Sequence, residues 1–335
     1  MIKIASSIDE EKWGDFVLNH EQGNIFQTPE MAAVYSRTKN HNAQFIAALD
    51  GTDEIKALVL GAIITEKGGL LSGLSTRSVI KGGPLFTGDK SGRSAFKSVM
   101  AGYDKCVGKK ALYTEIRALH DLSCHAPLMK ESGYGFEDHF NAFINLNRPV
   151  ETIWTGLKKD KRRGIRKAEK SGITLEPIKT RDEVEIAYEL IKETYASAKV
   201  PLADISFFES LYDVLMPKKM AEIVFAKYKG EHIATQVALL YKGRITALYT
   251  GSKREYLPLH PGDMLIWHFL EFGAENNYTL FDFGGGGSPS KNENLRLYKS
   301  RFGAEFPNHG RYKKIYSKTK LKIAEMGFNI YRQVF

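Results

Sequence analysis

Two spacings of apolar residues alternate along this chain, and each predicts a different element. Asp9–His20 sets Trp13, Phe16 and Val17 on one helical face, with Ser7 placed as N-cap. After an extended Gly23–Pro29, Pro29 suits the first turn of a helix through Tyr35. Gln44–Leu49, Ile55–Thr65 and Leu70–Leu74 read as strands, turning at Asp50-Gly51 and Gly68-Gly69. Ile80–Phe86 is a further short strand containing Gly82-Gly83. A helix at Ser91–Val107, a strand at Ala111–Arg117, a helix at Asp121–Ser132 and a strand at Phe140–Leu146 follow.

The remainder repeats this order. Thr152–Ser171 reads as one helix closed by Gly172. A strand Ile173–Ile178 and helices Asp182–Lys199 and Asp204–Leu215 lead into three strands, Ala221–Tyr228, His232–Tyr241 and Arg244–Gly251. A helix Pro261–Asn276 precedes the β-rich Tyr278–Phe283, which breaks into Gly284, Gly285, Gly286 and Gly287. A basic helix, Asn294–Phe302, stops at Gly303; the strand Arg311–Tyr316 and an amphipathic helix Lys318–Arg332 complete the pattern. The expected class is α/β (α+β), two tandem domains with mixed sheets flanked by helices. The boundaries are drawn at 1–150, 151–317 and a C-terminal helix 318–335.

Composition adds one asymmetry. At 335 residues, 43% hydrophobic and 26% charged, the chain has the profile of about two globular domains. No apolar run approaches the length of a membrane span, and Met1–Glu11 lacks a secretory pattern. Cys106 and Cys124 make neither a disulfide framework nor a zinc spacing, so no metal is expected. A reducing, cytoplasmic compartment follows as the expectation. The net charge of +9 lies wholly after Val150, since residues 1–150 carry 17 basic and 17 acidic side chains. An anionic partner is expected there: nucleic acid, a phosphorylated substrate or an acidic membrane surface.

Three stretches carry the candidate chemistry. In the helix at 152–171, Lys158–Lys170 holds eight basic residues, Arg162, Arg163 and Arg166 among them, against Asp160 and Glu169. That run suits phosphate, although a solvated helix face is the competing reading. The glycines from Gly284 can bring backbone N–H groups and cations to one point, or form only a turn; Asp282 in the preceding strand favours the first. In the first half, Gly82-Gly83 can admit substrate backbone. Lys81, Arg117, His120 and His125 are polar candidates there, each equally readable as a structural residue.

These pieces resemble a known family. Trp154-x-x-Leu157-x-x-x-x-Arg162-Arg163-x-Ile165-Arg166-Lys167-Ala168-x-Lys170-x-Gly172-Ile173 is similar to the start of the second domain of the Fem peptidoglycan interpeptide-bridge aminoacyltransferases and related FemAB-like acyltransferases. Tyr249-Thr250-Gly251-Ser252, Phe281-Asp282-Phe283-Gly284-Gly285 and Leu297-Tyr298-Lys299-x-x-Phe302-Gly303 fit the same family, as do Phe26–Pro29 and Gly82-Gly83-Pro84.

The resemblance implies two tandem GNAT-like domains sharing a cleft, and N-acyl transfer to an amine. It implies that Lys299 lies beside the reacting carbonyl, and that Arg162, Arg163 and a tyrosine near Tyr249 meet an anionic substrate. Lys299, Asp282 and Tyr249 are thus the expected catalytic set. Arg162, Arg163, Arg166, Gly284, Gly285, Tyr298, Phe302, Lys81 and Gly83 are the expected substrate contacts. The co-substrate is aminoacyl-tRNA or an acyl-CoA, with no tightly bound cofactor. The acceptor is an amine of a nucleotide- or lipid-linked cell-envelope precursor.

Two departures bear on the donor. Gly172–Ala221 has no long coiled-coil hairpin, as some tRNA-dependent members do, and Gly251–Gly262 lacks the Q/R-x-x-G-x-G loop that holds coenzyme A pyrophosphate. Two alternatives stay open: an acyl-CoA or acyl-carrier enzyme acting on an amino sugar, and a non-catalytic nucleic-acid-binding protein. The Lys318–Arg332 helix either packs on its domain or makes peripheral contact with the inner face of an acidic membrane.

Overall fold

The computed structural model describes residues 2–66, 72–324 and 326, and they divide into two compact units. The first comprises 1–138 and 309–335, the second 139–308. This differs from the division at 150. The strand after Gly135–Glu137 pairs into the second sheet, and the chain returns after Asn308 to complete the first.

In the first unit, β1 (Lys3–Ala5), α1 (Glu10–Asn19), α2 (Pro29–Arg37), β2 (His41–Leu49) and β3 (Ile55–Thr65) follow the apolar pattern closely. Asp9, not Ser7, caps α1, accepting from the Lys12 N–H at 2.9 Å. The Gly23–Pro29 stretch is not extended throughout: Ile25–Gln27 forms a 3₁₀ turn closed by a capping box between Asn24 and Gln27. Leu70, Leu71 and the Gly68-Gly69 turn lie outside the described residues. The rest of that expected strand is a helical turn, α3 (Ser72–Ser75), and β4 begins at Thr76 and runs to Lys81.

There follow β5 (Leu85–Phe86), α4 (Lys90–Val107), β6 (Tyr113–Arg117), α5 (Ala126–Glu131) and β7 (Gly135–Glu137). Only the second half of the expected Asp121–Ser132 helix is α-helical; Ser123–His125 makes a separate turn before it. Among the described residues the sheet has eight strands, in the order β1-β2-β3-β4-β6, then Arg311–Ile315, then β7, with β5 beside β3. The buried face of α4, including Phe96, Val99, Met100 and Tyr103, packs with Ile46, Val59 and Ile80 of the sheet.

The second unit opens with β8 (Phe140–Asn145). The expected helix at 152–171 is two, α6 (Val150–Gly156) and α7 (Lys159–Lys170). Leu157 and Lys158 between them are extended, and the Lys158 N–H donates to Arg301 O at 2.9 Å. Then come β9 (Thr174–Pro177), α8 (Glu183–Ser197) and α9 (Ile205–Ser210), the last continuing into a π-helical turn at Leu211–Leu215. After β10 (Ala221–Tyr228), β11 (Glu231–Tyr241), β12 (Arg244–Ser252) and α10 (Pro261–Glu275) lie β13 (Leu280–Gly287) and α11 (Glu293–Ser300).

The sheet order is β8-β13-β12-β11-β10-β9. Its core gathers Ile165 and Ala168 of α7 and Leu265, Phe269 and Leu270 of α10 against Ala234, Ala238, Ile245 and Phe281. The strand Arg311–Ile315, now β14, belongs to the first sheet, between β6 and β7. Residues 318–324 are helical; most of the remainder of the expected Lys318–Arg332 helix lies outside the described residues. Among the described residues no helix is long and apolar enough to cross a membrane.

Candidate active site

The four glycines are the last residues of β13, not a loop after it. A Cβ on Gly285 would stand 2.9 Å from the His139 ring, and one on Gly286 2.9 Å from Phe140 Cβ. Their first use is therefore close approach to β8. Gly284 also takes φ +77°, a conformation that side-chain-bearing residues rarely adopt. The register with β8 slips twice across this stretch, between Asp282 and Gly285 and between Gly285 and Gly287.

The slips matter because of what lies on the other edge. β12 and β13 run parallel and pair only from Arg244↔Leu280 to Thr246↔Asp282. Beyond that, β12 stays with β11 as far as Ser252, and β13 stays with β8 as far as Gly287. The strands part into a fork. From Ala247 onward, no strand among the described residues lies on the β13 side of β12.

Lys299, near the end of α11, reaches into this fork. Its Nζ donates to the carbonyls of Phe283 and, at 2.9 Å, Gly285. A Cβ on Gly284 would lie 3.8 Å from that nitrogen and 3.9 Å from Ala247 O, so the ammonium stands beside the divergence. Lys299 is only 7% exposed. Burial pulls its pKa down to about 8, against the opposing pull of the Asp282 charge. An ammonium has three N–H donors; two are taken by carbonyls, and the nitrogen also stands 5.0 Å over the Phe283 ring.

Asp282 is 1% exposed and accepts from the Gly284 N–H at 2.9 Å, which fixes the backbone where the strands separate. Burial lowers the pKa of Arg244 while Asp282 raises it, so this carboxylate serves two cations. The sequence pattern missed Arg296. Its guanidinium donates to the carbonyls of Gly286, Ser288, Lys291 and Pro289 at 2.6–3.1 Å, tying the segment after β13 to α11.

A second buried cluster adjoins the first through Tyr298. Lys161 points inward from α7, 2.8 Å from Asp263 in the first turn of α10, and sits 4.3 Å over the Tyr298 ring and 4.8 Å over that of Phe302. Asp263 also faces His260 Nδ1 at 3.3 Å and accepts from the Tyr298 hydroxyl at 3.4 Å. Burial, then the Asp263 charge, raises the Tyr298 pKa. A side chain at Gly164 would press within 3.0 Å of both Asp263 and His260. The signal was present in the sequence: Lys161, Ile165 and Ala168 share one helical face.

Of the remaining expected residues, Arg163 and Arg166 are exposed and Arg162 half-buried. Arg166 stacks 5.4 Å over Trp154. Arg162 and Arg163 make no side-chain hydrogen bond or ion pair among the described residues. Tyr249 follows a bulge in β12 and packs with Phe208, Tyr195 and Phe207 at 4.8–6.0 Å. Phe302 is 1% exposed and is a core side chain. Tyr298 keeps 38% of its surface open.

Lys81 and Gly83 belong to the first unit. Lys81 Nζ lies 4.4 Å over Phe26. Gly83 is buried, with its carbonyl accepting from Gln27 Nε2, and a Cβ on Gly82 would meet Asn24 Nδ2 at 2.2 Å. The glycine pair expected to admit substrate is thus filled by the protein's own Asn24–Gln27 turn. The structure brings together Lys299, Asp282, Gly284, Gly285 and Tyr298.

Residues 156–299 match the family described as the acetyltransferase (GNAT) domain. The fold matches the crystal structure of FemX with a TM-score of 0.71 at 16% identity, covering 93% of this chain and 97% of that one. The C-terminal domain of a putative lysylphosphatidylglycerol synthetase from Agrobacterium fabrum matches at 0.54 and 13%, over 96% and 95%. A tandem GNAT protein from the clavulanic acid biosynthesis pathway matches at 0.58 and 10%, over 95% and 99%. No curated protein matches the sequence. The domain match over 156–299 and the tandem fold support an acyltransferase. Over the whole chain the fold is the one seen in FemX and in the tandem GNAT protein.

Proposed function

We propose that the chain transfers an aminoacyl group from aminoacyl-tRNA to an amine of a nucleotide- or lipid-linked envelope precursor. The observation that carries this reading is Lys299, a buried cation at the fork between β12 and β13. The amine nitrogen attacks the ester carbonyl, and Lys299 donates to the oxyanion that forms. The amide bond is made as the ester C–O bond breaks, and the proton lost by the amine passes to the departing ribose hydroxyl. Asp282, beside two cations, is a poor base; its charge favours the ammonium form of Lys299, while carbonyls hold the nitrogen in place.

Two observations favour tRNA over a coenzyme. The exposed face of α7 presents Arg163, Arg166, Lys167 and Lys170 to a polyanion. At the start of α10, where a helix end would attract a pyrophosphate, the buried Asp263 carboxylate already stands. An acyl-CoA reading is supported by the match of 156–299 and by the unpaired edge of β12, along which an amide-bearing arm can lie. Purified protein supplied with an amine acceptor and either charged tRNA or acetyl-CoA separates the two. Product only from acetyl-CoA would refute the tRNA assignment.

A further inference from the structure

α11 turns Lys299 and Arg296 toward the end of β13, where both donate to backbone carbonyls. Its other side is apolar and uncovered: Leu297 is 54% exposed, and Leu295 and Tyr298 38% each. Leu295, Tyr298 and Arg301 follow one another at three-residue steps, and Leu297 stands four residues before Arg301, so the four make one continuous strip. The surroundings of the strip are basic. The Lys158 N–H donates to Arg301 O at 2.9 Å, which seats the start of α7 beside the end of α11, and Lys161 Nζ lies 4.3 Å over the Tyr298 ring. Lys158 and Lys159 are exposed there, Arg162 is half-buried, and Lys291 is exposed just before α11. Of the carboxylates in these two segments, Asp160 is paired with Arg301 at 3.2 Å, leaving Glu293 against the cations.

An exposed apolar patch with a polar rim marks an interaction surface. Here the rim selects the occupant. Leucines and a tyrosine framed by cations match an anionic bilayer surface, whose headgroups meet the cations while the acyl boundary takes the apolar side chains. A second copy of the same strip would set cations against cations, which disfavours a symmetric dimer. We propose that this strip docks on an anionic lipid surface, with Leu295 and Leu297 entering the headgroup boundary. The fork is then held behind α11, about 10 Å from that boundary, one helix thickness. The docking also narrows the acceptor, whose amine would be carried by a lipid-linked precursor lying in the same surface. That consequence rests on reading the fork as the acyl site; the docking itself does not.

The test floats the full chain with vesicles of equal parts phosphatidylcholine and phosphatidylglycerol, and with phosphatidylcholine alone. The wild type should float with the first and much less with the second. Leu297→Asp should lower partition onto the anionic vesicles about tenfold, at an unchanged melting temperature, because that side chain is already open to solvent. Leu295→Gln should lower it less, and it repeats the test should Leu297→Asp fail to fold. No flotation of the wild type, or flotation that neither variant alters, would overturn the proposal. Self-association of the wild type that Leu297→Asp abolishes would overturn it too, because a second copy would then cover the strip. Transfer is scored separately: Leu297→Asp should serve a water-soluble amine as the wild type does and an amine anchored in the vesicles poorly. A wild type that transfers to neither acceptor removes the acyl-transfer reading, while flotation still decides the docking surface.

Discussion

Each unit has one parallel strand pair in the middle of its sheet, and the two pairs end differently. In the first, β4 and β6 stay in register from Ser78↔Thr114 to Lys81↔Arg117, and the Gly82 N–H still reaches Arg117 O at 2.8 Å. Glu115 on β6 is neutralised by its strand neighbours, Arg117 at 2.6 Å and Arg311 at 3.0 Å. In the second, β12 and β13 part after Asp282, and a lysine from outside the sheet stands in the gap, held by carbonyls. A pair that stays zipped keeps its charges satisfied within the sheet. A pair that forks leaves main chain of β12 without a strand partner, and a cation beside it.

Both units contain buried charge, but only the forked one should respond catalytically to its loss. The largest expected effect is structural: Asp263→Ala strands Lys161 in the core and should cost about 3–5 kcal/mol in urea unfolding. Lys299→Met should cost less, about 1–3 kcal/mol for the two carbonyls left without their donor, but lower turnover about 10²–10³-fold with KM little changed. An equal loss in binding would remove the oxyanion role.

The pH profile sharpens this further. Because burial places Lys299 at about 8, the ammonium is lost as pH rises through that value. Turnover should therefore fall on the alkaline side with a midpoint near 8, and the residual activity of Lys299→Met should lack that limb. A limb rising near 8 that disappears in the variant would mean the neutral amine acts as a base.

The smallest effect belongs to the closed pair. Burial pushes the Glu115 pKa up, but Arg117 and Arg311 outweigh it and hold it below the usual value. Its contribution is therefore present at neutral pH and lost on acidification. Glu115→Gln should cost about 1–3 kcal/mol at pH 7 and leave transfer unchanged. Lost transfer would give the first unit a catalytic share.

Much of this architecture was legible in period and punctuation. β3 and β10 have the expected bounds, and α10 starts at Pro261 as expected, because alternation, turn glycines and an N-terminal proline are local signals. The break at Leu157-Lys158 was hidden because the apolar spacing continues through it, while the cause, a hydrogen bond to Arg301, lies far along the chain. Asp282 could be singled out as a charge within an apolar strand, and Lys299 through the family resemblance. The fork could not, since register between β12 and β13 has no trace in either strand alone. The same limit applies to Gly82-Gly83: φ is readable from glycine, but which side chain fills the space is a tertiary fact.

The return of the chain to β14 has a consequence for biosynthesis. Among the described residues β7 joins its sheet only through β14, by pairs such as Phe136↔Tyr312. During translation the first-begun unit must wait, on the order of tens of seconds, for its closing strand while the whole second unit emerges. A fragment halted near residue 150 would present β6 with a bare edge where β14 belongs. Such a fragment should aggregate rather than fold, whereas 139–308 contains every strand of its own sheet.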